Sequence, residues 1–175
     1  LFMIFIVITI INYYFNFLCF NLLKWIFYIV CMFSNIFKKN YQNIGFEDVL
    51  YAIKNKDKFL LINTLSHNEQ NILIYNTISS SEEEKYINTI IEKKTSNLIS
   101  IIIYGKNCVD SSTESKYDKL IECGFKDVAI YKGGLFEWLL LQDIYGTNNF
   151  PTNGKEIDIL KFKPTKIYGN HLISY

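Results

Sequence analysis

The stretch Cys123 to Trp138, CGFKDVAIYKGGLFEW, decides the fold. Cys123-Gly124 reads as a helix end, because glycine readily takes the left-handed conformation that stops a helix. Val128 to Tyr131 is a short apolar run of the kind found in strands buried on both faces. Lys132-Gly133-Gly134 then turns into a strongly apolar helix, Gly134 to Tyr145, which carries Trp138 and is bounded by Gly146. Helix end, buried strand, tight turn and new helix make one unit of an α/β sheet.

Working upstream, the same rhythm repeats. Leu98 to Tyr104 (LISIIIY) predicts a central strand, followed by a helix from Ser112 to Cys123 with Tyr117, Leu120 and Ile121 facing inward. Phe46, Val49, Leu50 and Ile53 recur at helical spacing, so a helix is expected over Phe46 to Lys54. Phe59 to Asn63 is a continuous apolar run and Ile72 to Tyr75 a second, both predicted as strands. Ser79-Ser80-Ser81 ahead of Glu82-Glu83-Glu84 is a helix start, with hydroxyl caps and acids over the positive end of the dipole. That helix is expected to reach about Lys94, with Tyr86, Ile87, Ile90 and Ile91 inward. Alternating strands and helices imply a parallel sheet. After Phe150-Pro151-Thr152, residues 151–175 read as a tail with a short amphipathic run, Glu156 to Phe162.

Composition narrows the function. The 175 residues are 50% hydrophobic, enough for one sizeable core. From residue 40 onward 15 lysines face 17 acidic residues, which leaves no electrostatic footprint for nucleic acid. The sequence contains no arginine. Any oxyanion site would therefore lack the planar guanidinium fork and rely on backbone N–H groups and lysine. The four cysteines, Cys19, Cys31, Cys108 and Cys123, form no Cys-x-x-Cys pair, and His67 and His171 stand alone. Neither a disulfide framework nor a zinc site is expected, and no cofactor is implied.

Residues 1–37 form one apolar tract, and Leu1 to Leu23 carries no charge. About 20 apolar residues cross a bilayer as a helix. The tract is read as a transmembrane helix, with Lys38-Lys39 marking a cytoplasmic flank. Asn12, Asn16 and Asn21 weaken the span. In the competing reading translation starts at Met32, residues 1–31 drop away and the domain is cytoplasmic.

The segment Gly124 to Trp138 resembles the last βα unit of rhodanese-like domains, "G-F-x-N-V-x-x-x-x-G-G-x-x-x-W". The resemblance runs from about Asn43 to Gly146 and implies a domain over residues 41–150, a three-layer α/β fold with helices on both faces of a parallel sheet. Leu61-Ile62-Asn63-Thr64-Leu65 falls where the family has "L-I-D-V-R", with Asn63 and Leu65 replacing the usual Asp and Arg. Asn71 to Ile78 stands in for "G-H-I-P-G-A-I" without its His or Gly. Leu98 to Gly105 matches "I-V-V-Y-C", with Gly105 at the position of the catalytic cysteine.

That resemblance makes Gly105 to Ser112 (GKNCVDSS) the equivalent of the active-site loop. In such a loop, converging N–H groups stabilise a thiolate or persulfide anion. Glycine has no sulfur to carry one, so an inactive binding or scaffold module is expected. The alternative nucleophile is Cys108, which lies beside Lys106 and just before a helix start; Asp110 opposes it. A sulfurtransferase or persulfide carrier built on Cys108 would use Lys106, Ser111, Ser112 and the loop amides, those of Asn107 and Asp110 among them, as its anion cradle. Asn63, Tyr131, Lys132, Gly133, Gly134 and Trp138 are expected around the pocket rim, with Trp138 holding the last helix to the sheet. A phosphatase on this fold needs a Cys-x5-Arg loop, which the sequence lacks. The helix Phe136 to Tyr145 is apolar on more than one face, which fits either a helix buried on two sides or an exposed patch for a protein partner.

Overall fold

The computed structural model describes residues 39–166, and the apolar tract 1–37 lies outside the described residues. Residues 41–166 form one compact unit. Its elements follow in order: β1 (Asn43–Ile44), α1 (Phe46–Lys54), β2 (Phe59–Asn63), α2 (Ser80–Glu92), β3 (Ser100–Tyr104), α3 (Ser112–Glu122), β4 (Val128–Tyr131) and α4 (Gly134–Tyr145). Single turns of 3-10 helix occur at His67–Glu69 and Ile159–Phe162. The sheet order is β1-β4-β3-β2, and every pairing is parallel.

Side-chain alternation divides the core into two layers. Leu61, Ile102, Tyr104 and Tyr131 face α1 and α4, where Val49, Ala52, Leu135, Trp138 and Leu139 complete one cluster. Leu60, Ile62, Ile101, Ile103 and Val128 face α2 and α3, which contribute Ile90 and Leu120. Burial on both faces is why these strands read as continuous apolar runs rather than as alternating ones. Helix α3 ends as its sequence suggested, with Gly124 at φ +92°.

Several expectations fail at the edges of elements. Ile72–Tyr75 is not a strand; it makes one antiparallel bridge, Ile74 to Thr152. Ile72, Leu73 and Ile74 are buried while Tyr75 is exposed, and the Tyr104 hydroxyl accepts the N–H of Ile74 at 3.1 Å, so burial is achieved without a neighbouring ladder. Strand β3 starts at Ser100, and Leu98 is 75% exposed. On α2, Tyr86 and Ile91 point outward while Glu83 is buried through its ion pair with Lys116 from α3. Ile121 and Cys123 are exposed as well. The expected boundary at residue 150 is not where packing stops. Phe150 and Phe162 are buried in the α1/α4 cluster, so residues 151–162 belong to the wall of the domain.

Candidate functional site

The loops after β2, β3 and β4 gather at the carboxyl edge of the sheet. The β3 loop begins at Gly105, which is buried, and a side chain there has no room. A Cβ built on Gly105 would lie 2.4 Å from Asp110 Oδ2 and 2.9 Å from Thr113 Cγ2. The Asp110 carboxylate is fixed in that space. Its Oδ2 accepts the N–H of Lys106 at 2.9 Å, and its Oδ1 accepts the N–H and hydroxyl of Ser112 at 3.0 and 2.6 Å. The Ser112 hydroxyl also reaches Thr64 Oγ1 at 2.7 Å, which ties the start of α3 to the β2 loop. An internal carboxylate thus takes two of the amides that an anion-binding loop would offer.

The cations of the rim are committed in the same way. Lys106 Nζ meets Glu69 Oε1 at 2.6 Å and lies 5.8 Å from the centre of the Phe162 ring. Lys132 Nζ meets Glu114 Oε1 at 2.5 Å. In each of these charge-assisted pairs the ammonium already faces an internal carboxylate, which offsets the charge it would offer an incoming oxyanion.

Burial works against ionisation of Glu69, yet hydrogen bonds from Lys106 and Ser66 outweigh it and hold the carboxyl below its ordinary range. The sign of the linkage follows. Because the folded group titrates lower than the unfolded one, its stabilisation is complete above the ordinary carboxylate range. It is lost as pH falls through the depressed folded value. Lys106→Met should therefore flatten the acid side of a plot of urea midpoint against pH and leave the slope near neutrality unchanged.

The N-terminus of α4 is hydrogen-bonded to the loop. Leu135 and Phe136 donate their N–H groups to the carbonyls of Gly105 and Lys106 at 2.9 and 3.0 Å. Gly134 makes this approach possible: its φ is +63°, and a Cβ there would lie 2.7 Å from the Gly105 carbonyl oxygen. Asn107 is buried and donates to the Phe162 carbonyl at 2.8 Å, and its Oδ1 accepts the N–H of Val109 at 3.2 Å. Cys108 is exposed, as is Ser111.

The remaining rim residues are structural in their contacts. Asn63 is buried and closes the β2 loop by accepting from Leu65 N–H and Gln70 Nε2 at 3.1 and 2.8 Å. Tyr131 donates to Glu137 Oε1 at 3.1 Å; burial and that carboxylate push its phenol well above the ordinary tyrosine range. Trp138 is fully buried and donates to the Pro151 carbonyl at 3.2 Å. Gly133 opens α4, with Glu137 folded back over it. Residues 105–107, 110 and 112 are thus brought together, whereas Tyr131 and Trp138 lie within the core. Glu69, Glu114 and Phe162 were not anticipated. Ser66-x-x-Glu69 has the spacing of a capping box and could have marked Glu69 as a helix-start residue.

On α4, Leu140, Ile144 and Tyr145 are exposed, the last two by 70% and 60%. A groove of about 490 Å³ runs between α1 and α4, lined by the apolar Phe46, Leu50, Leu141, Tyr145 and Phe150 together with Lys54, Asn148 and Asn149.

No family profile matches the chain, and no curated protein matches it in sequence. Solved structures do match. A yeast protein tyrosine phosphatase of the rhodanese family aligns over 69% of this chain and 97% of its own, at 12% identity and a TM-score of 0.50. A Bacillus halodurans protein aligns over 70% of this chain and 84% of its own, at 18% identity and a TM-score of 0.49. The rhodanese-like domain of an Anabaena protein, solved by solution NMR, covers 78% of this chain and 94% of its own at 17% identity and a TM-score of 0.45. At such identities the likeness is one of fold. The chain adopts the rhodanese-like α/β fold, with four parallel strands and helices on both faces.

Proposed function

We propose that this chain is a non-catalytic rhodanese-fold module that acts by binding a protein partner at a membrane. The observation that carries the reading is the Asp110 carboxylate, which stands where a side chain at position 105 would lie. It holds the Lys106 amide, while Glu69 and Glu114 hold the two rim lysines. An anionic substrate or a persulfide would have to displace an internal anion that is already hydrogen-bonded. The phosphatase activity of the yeast neighbour finds no support here, since a Cys-x5-Arg loop requires an arginine and the sequence has none.

The partner surface in this proposal is the exposed face of α4 with the α1/α4 groove, whose apolar residues are unlike the charged faces of α2 and α3. The membrane part rests on residues 1–37, whose first 23 residues are uncharged, with Lys38-Lys39 facing the cytoplasm. Among the described residues no helix is long and apolar enough to cross a membrane.

A thiosulfate:cyanide sulfurtransferase assay on the full chain in detergent tests the reading. Turnover at the uncatalysed rate is expected, and the Cys108→Ser chain should match it. Turnover that disappears on Cys108→Ser would establish the sulfurtransferase alternative, whose one structural support is the exposure of Cys108 in the same loop.

A further inference from the structure

We infer that Asn153 is a self-modifying site, converted by its own backbone to an aspartyl or isoaspartyl residue in the strap that closes over Trp138. Asn153-Gly154 is the one Asn-Gly pair in the chain; every other asparagine precedes a residue with a side chain. In the reaction the Gly154 amide nitrogen attacks Asn153 Cγ. A new C–N bond closes a succinimide, the Cγ–Nδ2 bond breaks, and the amide proton leaves with the departing ammonia. Water then opens the ring at either carbonyl. No oxidant, reductant or enzyme is needed.

The structure leaves the reacting groups available. Asn153 is exposed. Its own N–H is held by the Leu73 carbonyl at 2.9 Å, and the Gly154 carbonyl by Thr152 Oγ1 at 2.7 Å. Among the described residues no hydrogen bond uses the Gly154 N–H, so the nucleophile gives up no partner. Packing also explains why the labile pair is present. A Cβ on Gly154 would lie 2.4 Å from the Asn71 carbonyl oxygen, so only glycine fits, and glycine is the residue that least hinders attack.

The consequence falls on the strap Phe150–Gly154. Its carbonyls accept from Trp138 Nε1, Gln142 Nε2 and the Tyr75 N–H. An isoaspartyl residue would insert a methylene into the main chain between these bonds and the turn, offsetting the pairing with Leu73–Tyr75.

The full chain, held in detergent at mildly alkaline pH, should show amide-to-acid conversion at Asn153 by peptide mass spectrometry. Conversion there should precede that at Asn148 or Asn149, with labelling by an isoaspartyl methyltransferase and a falling urea midpoint. In the Asn153→Gln chain the labelling should be lost. Two results would overturn the inference: an intact Asn153 amide in the folded chain while the urea-unfolded chain converts, or conversion no earlier than at the other exposed asparagines.

Discussion

Trp138→Ala is expected to cost about 3–5 kcal/mol of folding stability, the range for truncating a large buried aromatic. The indole is fully buried, with ring centres 5.1 Å from Phe150 and 6.2 Å from Tyr131, both close to edge-on. It therefore joins β4, α4 and the strap after residue 150 in one contact. Truncation would leave a cavity between these elements and strip the Pro151 carbonyl of its indole donor. Against a total of about 5–15 kcal/mol for a typical domain, that loss is a large share. Trp138→Phe should be milder, since it keeps a ring and gives up the hydrogen bond. Urea midpoints followed by circular dichroism would rank wild type, Phe and Ala in that order.

Gly105→Cys should destabilise the chain by about 1–3 kcal/mol, as overpacking does in a filled core. The new Cβ and sulfur need the volume that Asp110 Oδ2 and Thr113 Cγ2 hold. Expelling the carboxylate breaks its bonds to Lys106 and Ser112. Asp110→Gly empties the same space, so the double variant should recover part of the loss. A coupling of about 0.5–3 kcal/mol is the scale for groups in contact. Urea denaturation of the four chains in this cycle reads the coupling directly; costs that simply add would mean that the carboxylate does not hold that space.

Much of the fold was legible because it depends on local pattern. The apolar runs SIIIY and VAIY are strands buried on both faces, and Gly124 to Trp138 carries its turn chemistry in sequence. Failures came where a distant partner decided the outcome. Ile72–Tyr75 looks like a strand, but the Tyr104 hydroxyl and the strap at Pro151–Asn153 satisfy its backbone. Tyr86 and Ile91 fit an inward stripe, yet the buried side of α2 includes Glu83 because Lys116 meets it from α3. The candidate loop is legible for the same local reason, since Gly105 directly follows the apolar run of β3. What occupies its missing side chain was not legible. Asp110 lies five residues on and could as easily have faced solvent, and the partner of Lys106 is Glu69, 37 residues away. Asn107 is anchored by Phe162, 55 residues distant, in a segment that reads as a tail.

The central claim is that this loop carries no sulfane sulfur. Incubating the full chain with thiosulfate and mapping sulfane sulfur on its peptides by mass spectrometry measures that directly. Cys108 and Cys123 should both emerge as unmodified thiols. A persulfide on Cys108, removed by cyanide and formed again with fresh thiosulfate, would contradict it.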